Sequence, residues 1–366
     1  MRYPRDVSID RTTKDYEAWM AGFGDLHRKE LTSKHQRMAE GSFPFLRATF
    51  YDWAVRYPRC CPEAADAPAV LGVGDLHIEN YGLWRDAEGR LVWGVNDFDE
   101  AAELPYTNDL VRLLTSATLA TDLSLRSAAR ALLAGYSTRL ERNGEPFVLA
   151  ERHRTLRRLA LRQLGDADAF WKELTDLPDN RDLDAEPRDL LIGSLPDGAT
   201  HARVRTRQAG LGSLGRTRAT VTARWRGGLI AREVKRVLPS AWSWASTTAP
   251  AADIHYGEIL TRAVRCPDPF LQMTGGWVTR RLAPDGKRIE LDTLRGSGRR
   301  LRLLEAMGAE AANIHLGSPG CRDAVLTDLA NQPAGWLARA AATMARDVKQ
   351  RQHTWAEHHR SARSRR

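Results

Sequence analysis

At 366 residues, 42% of them hydrophobic, the chain exceeds the usual size of one domain, and two lobes around a substantial core are expected. No run of eighteen apolar residues occurs, and Met1-Arg2-Tyr3-Pro4-Arg5-Asp6 lacks the apolar segment of a secretory signal, so the expectation is a cytoplasmic protein without membrane contact. A formal net charge of +9 favours anionic partners, whether nucleotide phosphates, acidic substrates or nucleic acid, without choosing among them.

Residues 14–58 read mainly as helix: Trp19, Met20, Phe23 and Leu26 mark an apolar face, Gly41-Ser42 a break, and Phe45, Leu46, Phe50 and Trp53 a second segment. Cys60, Cys61, Cys266 and Cys321 are too few for a disulfide scaffold and lack the paired spacing of a zinc site, so reduced thiols are expected. The adjacent Cys60 and Cys61 read as packed or exposed residues rather than as a redox sensor.

Two short segments then carry the chemistry. Gly74-Asp75-Leu76-His77-Ile78-Glu79-Asn80 and Asn96-Asp97-Phe98-Asp99 supply an acid, an amide and an acid. Phosphoryl transfer needs one carboxylate to receive the acceptor's proton and oxygen ligands to hold Mg²⁺ against nucleotide phosphates. Asp75 suits the first role. Asn80 follows at the five-residue interval of the kinase catalytic loop, and Asp97 stands where the metal-binding Asp would follow. Between them, Tyr81 to Arg85 and Arg90 to Val95 are strand-like runs joined by Asp86-Ala87-Glu88-Gly89, and such a hairpin returns Asp97 to Asn80.

Leu110, Leu113, Leu114 and Ala117 continue at helical spacing, as do Leu125, Ala128, Leu132 and Tyr136, with Asn143-Gly144 as a stop. A basic helix is expected around Leu156 to Leu164. The acidic, proline-containing stretch from Asp166 to Asp197 reads as a linker. Strands follow near His201 to Ala209, Thr217 to Trp225, Leu229 to Val237 and Trp277 to Leu282, and helix returns from Leu301. The Arg346 to Arg366 stretch reads as a solvated, fraying helical tail; nucleic-acid binding through it is not favoured.

Ala209-Gly210-Leu211-Gly212-Ser213-Leu214-Gly215 contains G-x-G-x-x-G, a motif shared by dinucleotide folds and kinases. The β-branched run after it does not open a helix, which favours a glycine loop inside a hairpin. There Gly210, Gly212, Ser213 and Gly215 would bring backbone amides close to phosphate. Lys235, near the end of the following strand, is placed to reach nucleotide phosphates, and Glu258 is the best candidate for the helix carboxylate that positions such a lysine.

Through Gly74 to Gly82, Asn96 to Glu100, Gly210 to Gly215 and Val234-Lys235 the chain resembles the bacterial domain of unknown function 2252 family. Met38 with Phe43 to Arg47, Pro105 with Asp109 to Leu113, and Val278 to Leu282 extend the resemblance over most of its length. The catalytic segment is also similar to that of aminoglycoside and choline phosphotransferases. That similarity implies Asp75 as base, His77 against the transferred phosphate, Asn80 and Asp97 on Mg²⁺, and Asp109 bracing the loop. Val73 and Asp99 depart from the histidine and glycine at those places, and Asp99 could be a further metal contact or a turn acid. Gly210 and Lys235 follow Asp75 and Asp97 in the chain, the reverse of ordinary kinases. The resemblance therefore implies a circular permutation, with Ala311 to His315 as the helix preceding the catalytic loop and His315 as a packing residue. Arg47 is read either as a substrate ligand or as an interlobe ion pair.

The expected architecture is α+β, a bilobal and circularly permuted protein-kinase-like fold with a small strand-rich lobe and a larger, mainly helical one. Residues 1–195 form the helical catalytic lobe, 196–292 the nucleotide-binding lobe, and 293–366 the returning helices and basic tail. The expected activity is transfer of the γ-phosphate of ATP, with Mg²⁺, to a hydroxyl of a small molecule or protein. Adenylyl transfer on the same fold, and a non-catalytic basic binding module for nucleotide or nucleic acid, are the alternatives.

Overall fold

The computed structural model describes residues 7–149, 152–162, 166–246, 253–286, 289, 291 and 294–363. The amino-terminal region forms helices Ile9–Met20, Arg28–Met38, Ser42–Ala48 and Phe50–Cys60, broken at Gly41-Ser42 as the sequence suggests. Strand β1 (Ala69–Gly72) leads into the Gly74-Asp75 loop, and the hairpin of β2 (Tyr81–Arg85) and β3 (Leu91–Val95) follows, with Tyr81 opposite Val95 and Arg85 opposite Leu91. Asp86 sets its turn, accepting from the backbone N–H groups of Glu88 and Arg90 at 3.0 and 2.9 Å. Beyond Asp97 the chain returns as β4 (Ala102–Pro105), antiparallel to β1 with Gly72 opposite Ala102. That pairing brings the loop leaving β1 beside the loop entering β4. Two acidic segments over twenty residues apart thus become neighbours.

Helix Tyr106–Ala120 runs beneath both loops and is buried from Tyr106 to Ala117. Helices Leu125–Glu141 and Ser297–His315 then cross at reciprocal glycines: a Cβ on Gly135 would collide with the Glu305 carbonyl, and one on Gly308 with the Leu132 carbonyl. The first of these helices ends before Asn143 and Gly144, both in left-handed conformation. The short strand β5 (Phe147–Val148) extends the hairpin beside β3.

Further along the chain lies a five-stranded antiparallel sheet of β6 (Thr200–Thr206), β7 (Arg218–Trp225), β8 (Gly228–Arg236), β9 (Gln272–Thr274) and β10 (Trp277–Leu282), in the order β6-β7-β8-β10-β9. Leu191, Ala219, Val221, Val234 and Trp277 form a core under one face. On the other, Val237, Leu238 and Val278 join the main core, so the sheet docks on the helices.

Two expectations need correction. The stretch read as a linker contains helices Ala167–Thr175 and Ala185–Gly193, and the latter buries Leu191 against the sheet, ahead of the boundary expected at residue 195. Short helices whose apolar residues serve a distant sheet lack a long periodic signal. Nor is the carboxyl end a fraying tail. Helix Trp336–Arg363 buries Leu337, Met344 and Trp355; Arg351 ion-pairs with the buried Asp52, and Trp355 donates to the His35 carbonyl at 3.0 Å. Leu164, Arg365 and Arg366 lie outside the described residues, as does the side chain of Arg363. The Cys61 thiol, pushed up to about 12 by burial and neighbouring Cys60, fits the packing role. Among the described residues no helix is long and apolar enough to cross a membrane.

Candidate functional site

The loop from Val73 to Asn80 is held from below. Asp109 accepts from the backbone N–H groups of Val73 and Gly74 at 2.7 and 3.0 Å, immediately before Asp75. His315 meets the same carboxylate through Nε2 at 3.0 Å, and its Nδ1 lies 2.7 Å from the Tyr136 hydroxyl. The Asp109 brace and the packing role of His315 both have this geometry. Gly74 takes φ of +76°, and a Cβ there would strike the Glu100 carbonyl, so the turn that presents Asp75 requires glycine.

Asp75 is oriented by Arg112, one helical turn beyond Asp109. The fully buried guanidinium donates twice to Asp75 Oδ1, through Nε at 2.8 Å and through Nη2, while Nη2 also donates to the Leu46 carbonyl at 2.8 Å. Oδ2 points toward the glycine loop; a Cβ on Gly212 would stand 3.6 Å from it. Burial raises the Asp75 carboxyl and Arg112 opposes that, for a net rise to about 7. His77 Nδ1 accepts from the Glu79 N–H at 3.2 Å, so a neutral ring carries its proton on Nε2. Asn80 Oδ1 accepts from the His77 N–H at 2.8 Å and closes the loop.

Lys235 reaches these residues from β8. Its ammonium lies 2.8 Å from Asp97 Oδ1 and 2.5 Å from Asp99 Oδ1, over the Tyr256 ring. Burial alone would raise Asp97, but Lys235, with Arg280 and Arg218 behind it, holds the carboxyl well below its usual range; burial and the Asp97 charge raise Asp99. Asp99 meets Lys235 as a close ion pair, and among the described residues its oxygens have no other hydrogen-bond partner. One lysine thus faces two carboxylates, with Arg280, Arg218 and Arg216 adding positive charge nearby.

The glycine loop joins β6 to β7, with Thr206 opposite Ala219, and no helix follows it. It is pinned to helix Arg28–Met38: Lys34 donates to the Gly212 carbonyl at 3.2 Å, the Gly215 N–H donates to Glu30 at 3.0 Å, and the His27 N–H donates to the Gly215 carbonyl at 3.0 Å. Ser213 accepts from Arg218 at 2.8 Å. Asp75, His77, Asn80, Asp97, Asp99, Gly210, Gly212 and Ser213 all line one cleft, joined by Tyr16, Lys34 and Arg216; the enclosed space is about 50 Å³, room for a few waters.

Glu258 is not part of this constellation. It pairs with His255 at 3.0 Å and Arg262 at 3.9 Å on its own helix, Tyr256–Arg262, and remains 43% exposed. Tyr256 and Ile259 turn inward on that helix, and Glu258, two positions and some 200° from Tyr256, faces away from Lys235. The carboxylates beside Lys235 are those of Asp97 and Asp99. Arg47 pairs at 2.9 Å with Glu79, a residue of the loop that carries Asp75 and Asn80.

Arg112, Glu100 and Lys34 are site residues that the motifs did not single out. Arg112 stands three residues after Asp109, a spacing that puts both on one helix face and could have disclosed it. Glu100 accepts from Arg216 at 3.2 Å and from the Ala241 N–H at 2.7 Å, bonds made by residues far apart in the chain. Lys34 left no local signal.

Residues 27–168 match the model of a family described as uncharacterised proteins conserved in bacteria, DUF2252. The match takes in Asp75, His77, Asn80, Asp97, Asp99, Asp109 and Arg112 and ends before the glycine loop and Lys235. No curated protein and no solved structure matches the chain.

Proposed function

We propose that the protein is an ATP- and Mg²⁺-dependent phosphotransferase of permuted, bilobal protein-kinase-like architecture that transfers the γ-phosphate to a hydroxyl of a small molecule or protein. One observation carries this reading: the Asp75 loop, the Asp97 loop and the glycine loop line a single cleft, and Lys235 meets Asp97 at its wall. The order within the strand-rich lobe supports it. Kinases place the phosphate-binding lysine on the third strand after the glycine loop opens the sheet, and β8 is the third strand here.

Asp75 is the base. With Oδ1 fixed by Arg112, Oδ2 is the oxygen presented to an acceptor hydroxyl lying under Gly212. His77, with Nε2 protonated, is a donor to a phosphoryl oxygen. Among the described residues no three His, Cys, Asp or Glu side chains form a ready metal cage, but Mg²⁺ is commonly held by one or two carboxylates together with phosphate and water. The Asp99 carboxylate beside Asp97, with the second lone pair of Asn80 Oδ1, fits that donor set. A bound Mg²⁺ would neutralise charge on the transferred phosphoryl group. Lys235, released from the carboxylates, is then the ammonium that holds the nucleotide phosphates. A nucleotide in this cleft would lie beside the glycine loop that Lys34 and Glu30 hold in place.

Asp75→Asn is expected to lower turnover by about 10²–10⁴-fold while ATP binding, followed calorimetrically, stays within a few-fold of wild type. Unchanged turnover would remove Asp75 from the role of base.

A further inference from the structure

A second cavity, of about 290 Å³, lies where β10 and the turn after it meet the hairpin at Leu83, Trp84 and Asn96. Four arginines line it: Arg207, Arg265, Arg280 and Arg281. Two carboxylates also line it: Asp285 pairs with Arg85 at 2.7 Å, while Asp268, which accepts from the Phe270 N–H at 2.9 Å, offsets part of the charge of Arg281, Arg265 and Arg280. Behind the wall, Glu233 is shared by Arg207, Arg218 and Arg280, three guanidinium groups to one carboxylate. The cavity therefore carries excess positive charge.

Arg265 decides what that charge is for. All three of its guanidinium nitrogens are buried, and none has a hydrogen-bond partner among the described residues. Trp84 and Phe98 each lie 4.9 Å from the guanidinium carbon, so aromatic faces fix the group while offering no acceptor to its in-plane N–H bonds. Arg281 is held similarly, 4.7 Å from the Phe270 ring. A buried cation with unsatisfied donors gains most from a ligand that brings both negative charge and several acceptors.

We propose that this cavity is a binding site for phosphate groups of an oligophosphate, engaged by Arg265 and Arg281 with Arg207 and Arg280 behind them. A neutral base would leave the Arg265 donors unpaired. A single carboxylate offers two oxygens to four guanidinium groups, whereas adjoining phosphates offer more acceptors and more charge. The inference does not rest on the phosphotransferase reading, since neither Asp75 nor the glycine loop enters it. The phosphates belong either to a nucleotide or to a free oligophosphate.

The test is calorimetric titration of the full chain with pyrophosphate and tripolyphosphate in the absence of divalent cations, with ATP and adenosine as further arms. One site is expected, with affinity falling as salt rises, and Arg265→Gln and Arg281→Gln should each weaken it tenfold or more. If ATP displaces pyrophosphate with the same arginine dependence, the phosphates are a nucleotide's; if ATP binds without displacing it, they are a free oligophosphate's, and the site stands in either case. Absence of pyrophosphate binding, binding indifferent to both substitutions, or displacement of pyrophosphate by adenosine would overturn the assignment. Should Arg265→Gln fail to fold, Arg281→Gln on the half-buried strand carries the comparison alone.

Discussion

Asp75 is one carboxyl group subject to opposing influences. Burial favours its neutral form, the Arg112 guanidinium favours the charged one, and the balance near 7 leaves the group poised at neutral pH. A base must be unprotonated to accept a proton, so turnover is expected to rise with pH through about 7 and to be lost below it. Arg112→Gln removes the charge that favours ionisation, and the limb of the pH–rate profile should move to higher pH; a limb that stays in place would mean that another group titrates. Asp109 offers a separate test at this scale. Asp109→Ala leaves the Val73 and Gly74 N–H groups and His315 without their buried acceptor and is expected to cost roughly 3 kcal/mol, measured by urea unfolding. That Asp75, Asn80 and Asp97 share one cleft was legible from sequence because two short segments carry them and a hairpin joins those segments. Arg112 was obscured because it acts on a loop 37 residues away.

Elements were legible where one segment carries its own pattern. The hairpin of β2 and β3 announced itself through a turn residue that caps its own loop, Asp86, and through two runs that each contribute a tryptophan, Trp84 and Trp93. Strands β1 and β4 are four residues each and pair across an intervening hairpin, so nothing local marks them. Glu258 shows the same limit in a helix: its residue type suited a lysine partner, but rotation about the axis aimed it at His255 and Arg262. Packing between elements supplies a stability test remote from the cleft. Gly135 lets its helix approach helix Ser297–His315 to backbone contact, and Gly135→Ala should force the pair apart at a cost of about 1–3 kcal/mol. Equal urea midpoints for the variant and wild type would contradict so close a crossing.

Over the whole molecule, the carboxyl-terminal helix ties the far end of the chain to its beginning. Arg351 pairs with the buried Asp52, Arg56 with Asp347 at 2.6 Å, and His358 with Asp10 at 2.8 Å. These contacts turn a stretch that reads as a solvated, fraying tail into a structural clasp, because the sequence discloses the charges but not the acids awaiting them. Truncation after residue 345 would leave Asp52 buried and unpaired and is expected to lower stability by about 3–5 kcal/mol in thermal or urea unfolding. An unchanged transition would restore the solvated tail.

The same helix meets helix Arg28–Met38, where Trp355 donates to the His35 carbonyl, and that helix contacts the glycine loop through Lys34 and Glu30. The most direct measurement of the proposed activity is incubation of the purified protein with Mg²⁺ and fractionated cell extract, using ATP labelled in parallel at the γ- and α-phosphates. Label from the γ position should appear in an acceptor, with ADP released and both signals lost in Asp75→Asn. Transfer of the α label with release of pyrophosphate, or γ transfer that persists without Asp75, would contradict the account.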